Sequence, residues 1–445
     1  MASDLLSIAA SGAKAARSAL DVTAQNIANA STEGYVRRSA KLAEVFAPSV
    51  FGQNGDASLS GVRLERVVRN VDLFRLAEAR CTTSDAARAG AELDGLQNIE
   101  AAIENARVYD GMLDFEGSLE ALTADPTNPS LRAAVLESAQ TMARSFNVAA
   151  NSLDAVGASL NFAAAAGIEE VNTYATELAR INLRLARAQN GSTDQSSLLD
   201  QRDLMLQKLS GLADIHVTVA ADFTVDVELG TGGALPLVKG GVTAPLASTT
   251  APDGTLSFSV GGAPVSLLGG DLAGHQQGLA HLRDYRADLD DVVNNLISVV
   301  NGVQTSGAAL DGSAGRPLLT GTGAADVAVA LTNPGDLATA PAGSPPGSRA
   351  ASNLSAFREA LSNGQVAAGM SAVIFSVSSK VSGLSTTRAA LDAIASAASI
   401  SLQTQAGVDL DHEAVNLIRF QQAFQASGRV MQVSTDLFDT LLGIR

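Results

Sequence analysis

Residues 406–445 read AGVDLDHEAVNLIRFQQAFQASGRVMQVSTDLFDTLLGIR, and the spacing of their large apolar side chains is the strongest pattern in the chain. Leu410, Leu417, Phe424, Met431 and Phe438 recur every seven positions, and Ala423, Val430 and Leu437 run beside them at the same interval. A period of seven places each row on one side of an α-helix. Sustained, it keeps that side turned toward a partner helix, which is the coiled-coil condition. The other end of the chain carries a matching pattern. Leu6, Ala13, Leu20 and Ile27 are seven apart, with Ala9 and Ala16 between them. A seam of small residues at one end and of large ones at the other predicts close pairing of the two ends, or of copies of each end. The bland alternative is two amphipathic helices covering a globular core. A seam without a partner in the single chain also predicts ends that are unordered before assembly.

Composition bounds the rest. The chain has 445 residues, enough for two to four domains. Hydrophobic residues make up 46% but aromatics only 4%, with no Trp, so the apolar content is mainly Ala, Leu and Val. That suits helix packing better than an aromatic-lined ligand pocket. A formal net charge of −16 argues against nucleic-acid binding and against docking on anionic membranes. One cysteine, Cys81, excludes an intramolecular disulfide and a cysteine zinc site. No apolar run approaches the length of a bilayer span, so membrane insertion is not expected. The N-terminus has Asp4 where a Sec signal needs positive charge, so export, if it occurs, needs no signal peptide.

Taken in order, residues 4–29 read as a helix that stops in the Asn29–Gly34 turn. Residues 36–75 read as extended segments and turns around Pro48, Val50, Phe51, Gly52 and Gly55. Helical periods follow at 73–103 and 112–122, then a break at Pro126 and Pro129. Two further helices are expected, from Leu131 to Leu160 and from Ile168 to Leu185, and a third from Leu198 to Leu212. The period then changes to two: Ile215, Val217 and Val219, then Phe223, Val225, Val227 and Leu229, which is a hairpin signal. Residues 213–270 are read as a small β insertion. Helix resumes at 278–303, 305–350 is an irregular crossing, and helices at 366–398 and 399–445 close the chain. The expected fold is mainly α with a small β insertion: an elongated multi-domain rod. Its parts are paired terminal helices (1–35 and 399–445), a helical middle domain with extended segments (36–212 and 271–398) and an outward β domain (213–270).

No catalytic, cofactor or metal site is legible. His216, His275, His281 and His412 have no metal-ligand spacing. Gly230-Thr231-Gly232-Gly233 lacks a following helix and reads as a turn, and no nucleophile elbow is present. Asp290-Asp291 and Glu169-Glu170 are neighbours on helices and diverge. Asp200-Gln201-Arg202-Asp203 reads as an ion pair on a helix face.

Several stretches resemble a known family. Leu20-Asp21-Val22-Thr23-Ala24-Gln25-Asn26-Ile27-Ala28-Asn29-Ala30, with Thr32-Glu33-Gly34-Tyr35, resembles the N-terminal signature of flagellar rod, hook and hook-associated proteins. Val408–Ala414 and Asn416–Ala426 resemble its C-terminal counterpart. Leu198–Asp203, Leu119–Pro129 and Ala324–Leu331 are similar to the hook-associated protein 1 family, the hook–filament junction class. There are departures: Ser31-Thr32-Glu33 precedes Gly34-Tyr35 in place of the usual Asn-Thr-Pro, His412 replaces a common acid, and Phe420 and Phe424 replace common tyrosines. The resemblance implies a structural protein of the bacterial flagellum without catalytic activity or cofactor, exported through the flagellar type III apparatus and placed at the hook–filament junction. It implies pairing through Leu6, Ala13, Leu20, Asn26, Ile27, Asn29, Gly34, Tyr35, Leu410, Leu417, Phe420, Phe424, Val430, Met431, Leu437, Phe438 and Leu441. The implied partners are further copies in a ring or helix, the hook protein, the filament-side hook-associated protein and a cytoplasmic export chaperone. The chaperone would hold Leu417, Phe424, Met431 and Phe438. Alternatives are a hook or rod subunit, a cell-wall-acting enzyme, or a secreted coiled-coil effector.

Overall fold

The computed structural model describes residues 2–46, 59–230, 232–233 and 235–442. Pro48, Val50, Phe51, Gly52, Gly55, Thr231 and the side chain of Leu441 lie outside the described residues. The elements run α1 (Ala2–Ala28), β1 (Arg38–Phe46), β2 (Leu59–Arg69), α2 (Leu73–Asn105), α3 (Val108–Thr123), α4 (Pro129–Leu185) and α5 (Thr193–Leu212). Then come β3 (Ile215–Val219), β4 (Val225–Leu229), β5 (Leu235–Lys239), β6 (Val242–Thr243), β7 (Leu246–Thr250), β8 (Leu256–Val260) and β9 (Ala263–Val265). The chain ends with α6 (Gly270–Ser306), an irregular crossing, α7 (Ser352–Asn363), α8 (Val366–Ala406) and α9 (Leu410–Leu442). The fold is mainly helical with small antiparallel sheets.

Three expectations change. Residues 131–185 lie in one helix, Pro129–Leu185, of 57 residues rather than in two. A glycine inside a helix costs only about 1 kcal/mol, and the apolar row continues through Gly157 and Gly167 to Val171 and Leu178, both buried. The single β insertion expected over 213–270 is two sheets, β3-β4-β5-β6 and β7-β8-β9. The last helical break falls at Gly407, between α8 and α9, rather than at residue 399. In addition, one window within 352–440 reaches a mean hydropathy of 1.3, long and apolar enough by composition to cross a membrane, which corrects the expectation that no run approaches this.

The chain divides into two compact units. One comprises Met1–Ser84, Val171–Pro245 and Asp392–Arg445; the other comprises Asp85–Glu170 and Leu246–Leu391. In the first unit α1 packs antiparallel on α9 and also against the β1–β2 hairpin. The hairpin pairs Arg38 with Arg69 and Ala40 with Val67, with irregularities at Lys41/Leu42 and beyond Glu44. The C-terminal end of α4 meets the four-stranded sheet through Asn182. Its Nδ2 donates to the carbonyls of Val225 and Gly240, and its Oδ1 accepts from the Val225 amide.

In the second unit the core is apolar, with Leu96, Ile99, Ile103, Phe115, Leu119, Phe146 and Leu296 fully buried. Helices α2 and α6 approach closely because a glycine sits at the contact. A Cβ on Gly274 would meet the Arg88 carbonyl at 2.4 Å. The irregular crossing is held by side chains from the helices beneath it rather than by a sheet. Asn301 accepts from the Leu318 and Leu319 amides, and Gln304 accepts from the Ala338 amide. Arg132 is fully buried and donates to Pro126 O, Leu337 O and Thr339 Oγ1. A cation held by carbonyls and a hydroxyl still satisfies groups whose orphaning would be expensive.

At the start of α6, Asp271 faces Asp94 and Glu170. Burial first, then those two charges, raises its carboxyl pKa above the ordinary 3.8. The folded state therefore binds this proton more tightly than the unfolded chain, and the ionised carboxylate is a penalty present above the folded pKa. Asp271→Asn is expected to raise the thermal midpoint at pH 7, and the gain should fade as pH is lowered toward 4. Paired melts of parent and variant across that range check this, and the difference cancels the opposing contribution of His275, which burial holds below its ordinary value.

Candidate functional site

The polar side chains of the first unit converge where the two ends of the chain meet. Asn26, near the end of α1, is 1% exposed, as is Glu413 in the first turn of α9. Asn26 Nδ2 donates to Glu413 Oε2 at 3.1 Å and to the Arg38 carbonyl at 2.8 Å. Asn26 Oδ1 accepts from the Tyr35 hydroxyl at 2.9 Å and from the Arg38 amide at 3.0 Å. One amide thus uses both donors and both acceptor sites, joining α1, the turn after it, β1 and α9. Arg37 Nε donates to Glu413 Oε1 at 2.7 Å, and the Arg37 amide donates to Ala406 O at 2.8 Å. Gly34, at φ +76°, makes the turn that brings Tyr35 back over α1.

Behind this junction lies a second set of charges. Arg38 Nη2 donates to Asp200 Oδ2, and Arg69 Nε to Asp200 Oδ1, both at 2.8 Å. Arg69 Nη2 donates to Asp203 Oδ2 at 2.8 Å, and Arg202 Nη2 to Asp203 Oδ1 at 2.7 Å. Arg202 Nη1 also donates to Phe223 O, in the β3–β4 turn. The Arg38 guanidinium lies 5.0 Å from the Tyr35 ring centre, within cation–π range. Burial raises the Asp200 carboxyl against the opposing pull of Arg69 and Arg38, and raises the Tyr35 hydroxyl. Burial lowers the Arg80 guanidinium, with Asp203 opposing. The cluster therefore ties α1, the hairpin, α5, the β3–β4 turn and α9 together. The ion pairing expected of Asp200–Asp203 on the helix face is present, and it is buried: Asp200, Arg202 and Asp203 are all buried, with Arg38 and Arg69 paired to the carboxylates.

The residues expected to mediate pairing fall into two groups. Ala13 and Asn26 are buried, while Leu20, Ile27, Asn29, Tyr35, Leu417, Phe420 and Met431 are partly buried. Leu6, Gly34, Leu410, Phe424, Val430, Leu437 and Phe438 are exposed. The side of α9 turned inward carries Glu413, Phe420, Ser427 and Ser434, again seven apart. Ser427 lies against Gly12, where a Cβ would sit 3.0 Å from the Ser427 hydroxyl. Val415, Ile418 and Val433 are exposed with the large residues. Sequence reasoning missed Glu413, Arg37, Arg38 and Arg69. Glu413 is one of three acids, with Asp409 and Asp411, at the start of α9, and nothing local marks it as the buried one. Among the described residues no group of three or more His, Cys, Asp or Glu could hold a metal ion.

Residues 93–319 match the flagellar hook-associated protein FlgK helical domain family. Residues 6–35 match the flagella basal body rod protein family, and residues 403–444 the flagellar basal body rod FlgEFG protein C-terminal family. The chain is 26% identical over 250 residues to flagellar hook-associated protein 1 of Escherichia coli K12, covering 55% of this chain and 45% of that one. It is 28% identical over 232 residues to the Bacillus subtilis protein of the same name, covering 48% and 46%. The aligned stretches thus span less than half the length of these relatives. A solved structure of the flagellar hook junction protein FlgK from Burkholderia pseudomallei superposes with a TM-score of 0.50 at 23% identity, over 54% of this chain and 46% of that one. That likeness supports the fold.

Glu413→Ala would strand Arg37 and the Asn26 amide and is expected to cost about 3 kcal/mol, as when one partner of a buried pair is removed. Glu413→Gln keeps a hydrogen-bonding group there and should cost about 1 kcal/mol. Denaturant unfolding measures both, and limited proteolysis should release the C-terminal helix first in the alanine variant.

Proposed function

Since the chain belongs to the flagellar hook-associated protein FlgK family, we propose that it is a structural subunit of the bacterial flagellum that joins hook to filament. The observation that carries this reading is the way the two chain ends pair. They meet largely through small and polar residues, with Phe420 among them, and most of the large side chains of α9 are left outward. An outward row of Phe424, Val430, Leu437 and Phe438 on a chain of net charge −16 needs a covering partner. Neighbouring axial subunits supply it. Copies of this chain associate as a ring or helix, with the hook protein on one side and the filament-side hook-associated protein on the other. Contacts between unlike faces close rings or propagate helically.

Before assembly the same row is an aggregation hazard, so a cytoplasmic export chaperone covers Leu417, Phe424, Met431 and Phe438. Export through the flagellar type III apparatus delivers the subunit to the extracellular flagellum. A hook or rod subunit is the second reading, favoured by the matches at residues 6–35 and 403–444. The helical-domain match over the interior favours the junction.

Deleting the gene should give hooks without filaments by electron microscopy, with flagellin shed into the medium, and the full chain supplied in trans should restore filaments. Loss of hooks would move the chain to the rod or hook class. Normal flagella would end the axial reading.

A further inference from the structure

Cations are scarce in this chain, yet four exposed ones lie on two elements that pack together: Lys14 and Arg17 of α1, and Arg63 and Arg66 of β2. None makes a salt bridge among the described residues. Between α1 and the hairpin is a cavity of about 310 Å³. It is lined by the apolar Ala15, Val45, Val62 and Leu64 and by the cations Lys14 and Arg63. The chemistry that fits such a groove is an apolar side chain flanked by carboxylates. Asp436-Leu437-Phe438-Asp439, near the end of α9, has that chemistry, and all four residues are exposed.

Within one chain the two cannot meet. Asn26 lies against Glu413 and Gly12 against Ser427, so each step of fourteen residues along α1 matches fourteen along α9 in the opposite sense. On that register Asp436 lies beside the start of α1. Lys14 is about eleven residues further on, about 17 Å along the axis at 1.5 Å per residue. We infer that the groove between α1 and the β1–β2 hairpin receives the Asp436–Asp439 segment of a second copy of this chain. The contact is between unlike faces, so each copy keeps a free groove on one side and a free helix end on the other. Carboxylates against Lys14 and Arg63 give the contact its orientation and its sensitivity to salt. The inference rests on the reading of the chain as an assembling axial subunit.

The test uses the full chain in a strain lacking its own copy. Wild-type chain that fails to restore filaments overturns the axial reading itself. If it restores them, Lys14→Glu with Arg63→Glu should reduce filaments per cell about tenfold, as should Asp436→Lys with Asp439→Lys, with exported subunit unchanged. Combining the four changes re-creates opposite charges and should recover filaments to within about twofold of wild type. Full filament numbers in either charge-reversed pair, or no recovery in the combination, overturns the docking inference. A photo-crosslinking side chain at Ser18 provides a readout independent of these variants. A product of twice the chain mass in isolated flagella supports the inference. Cross-links only within one chain, only to a different axial protein, or not at all, overturn it.

Discussion

Glu413 is the carboxylate on which the pairing of the chain ends turns. It sits in the first turn of α9, where the helix dipole favours a negative charge, and both its oxygens are engaged, one by Arg37 and one by Asn26. The residues it joins are up to 387 positions apart. Burying a carboxylate is expensive, and an apolar substitute of equal size could make the contact as stable. What an apolar residue could not do is choose a register. The inward face of α1 is built largely of alanines, among them Ala9, Ala13, Ala16 and Ala19. Such a surface looks similar every turn, and an opposing helix could slide along it by four or seven residues. Asn26, with its two donors and two acceptors all assigned, meets Glu413 at one position only.

The same choice settles what the outside of the pair looks like. Helices that meet through Gly12 and Ser427 come close together and leave little room for large side chains between them. The bulky residues of α9 must then point elsewhere. Leu410, Val415, Ile418, Phe424, Val430, Val433, Leu437 and Phe438 are all substantially exposed. Close packing by small residues and an outward row of large ones are therefore one design. Had the large residues filled the intramolecular seam, α1 would have stood further off and Asn26 could not reach Glu413.

The heptad spacing made the existence and pairing of the terminal helices legible, but not the face used. Leu410, Phe424 and Phe438 share a period with Leu417 and Met431, yet only the latter two are partly buried. Glu413, Phe420, Ser427 and Ser434 have the same period, but a row in which three of four residues are polar does not announce a seam. The burial of Asp200–Asp203 was not legible for a related reason. A dense run of charges on a helix is usually solvated, and nothing local shows that Arg38 and Arg69 arrive from more than a hundred residues upstream to bury it. Likewise the gap expected between Leu160 and Ile168, where Gly167 stands, is an interior stretch of α4, because burial along its apolar row outweighs the roughly 1 kcal/mol that a glycine costs. The β3–β4 hairpin, whose alternation is local, was readable outright, whereas the division of 213–270 into two sheets depends on long-range packing.

Two kinds of surface are left open on these helices, and they differ chemically. The outward side of α9 mixes large apolar groups with Asp436, Asp439, Arg419 and Arg429, so its partner must match both shape and charge. The outward side of α8 is mostly Ala, Ser, Thr and Gly, with Phe375, Ile394 and Ile400 as isolated large residues. Alanine and serine gain little from leaving water, so this side has a weak drive to be covered, while α9 has a strong one. A partner that reaches the chain therefore gains most by engaging α9. The junction that Glu413 closes is what presents α9 in the correct register for that encounter.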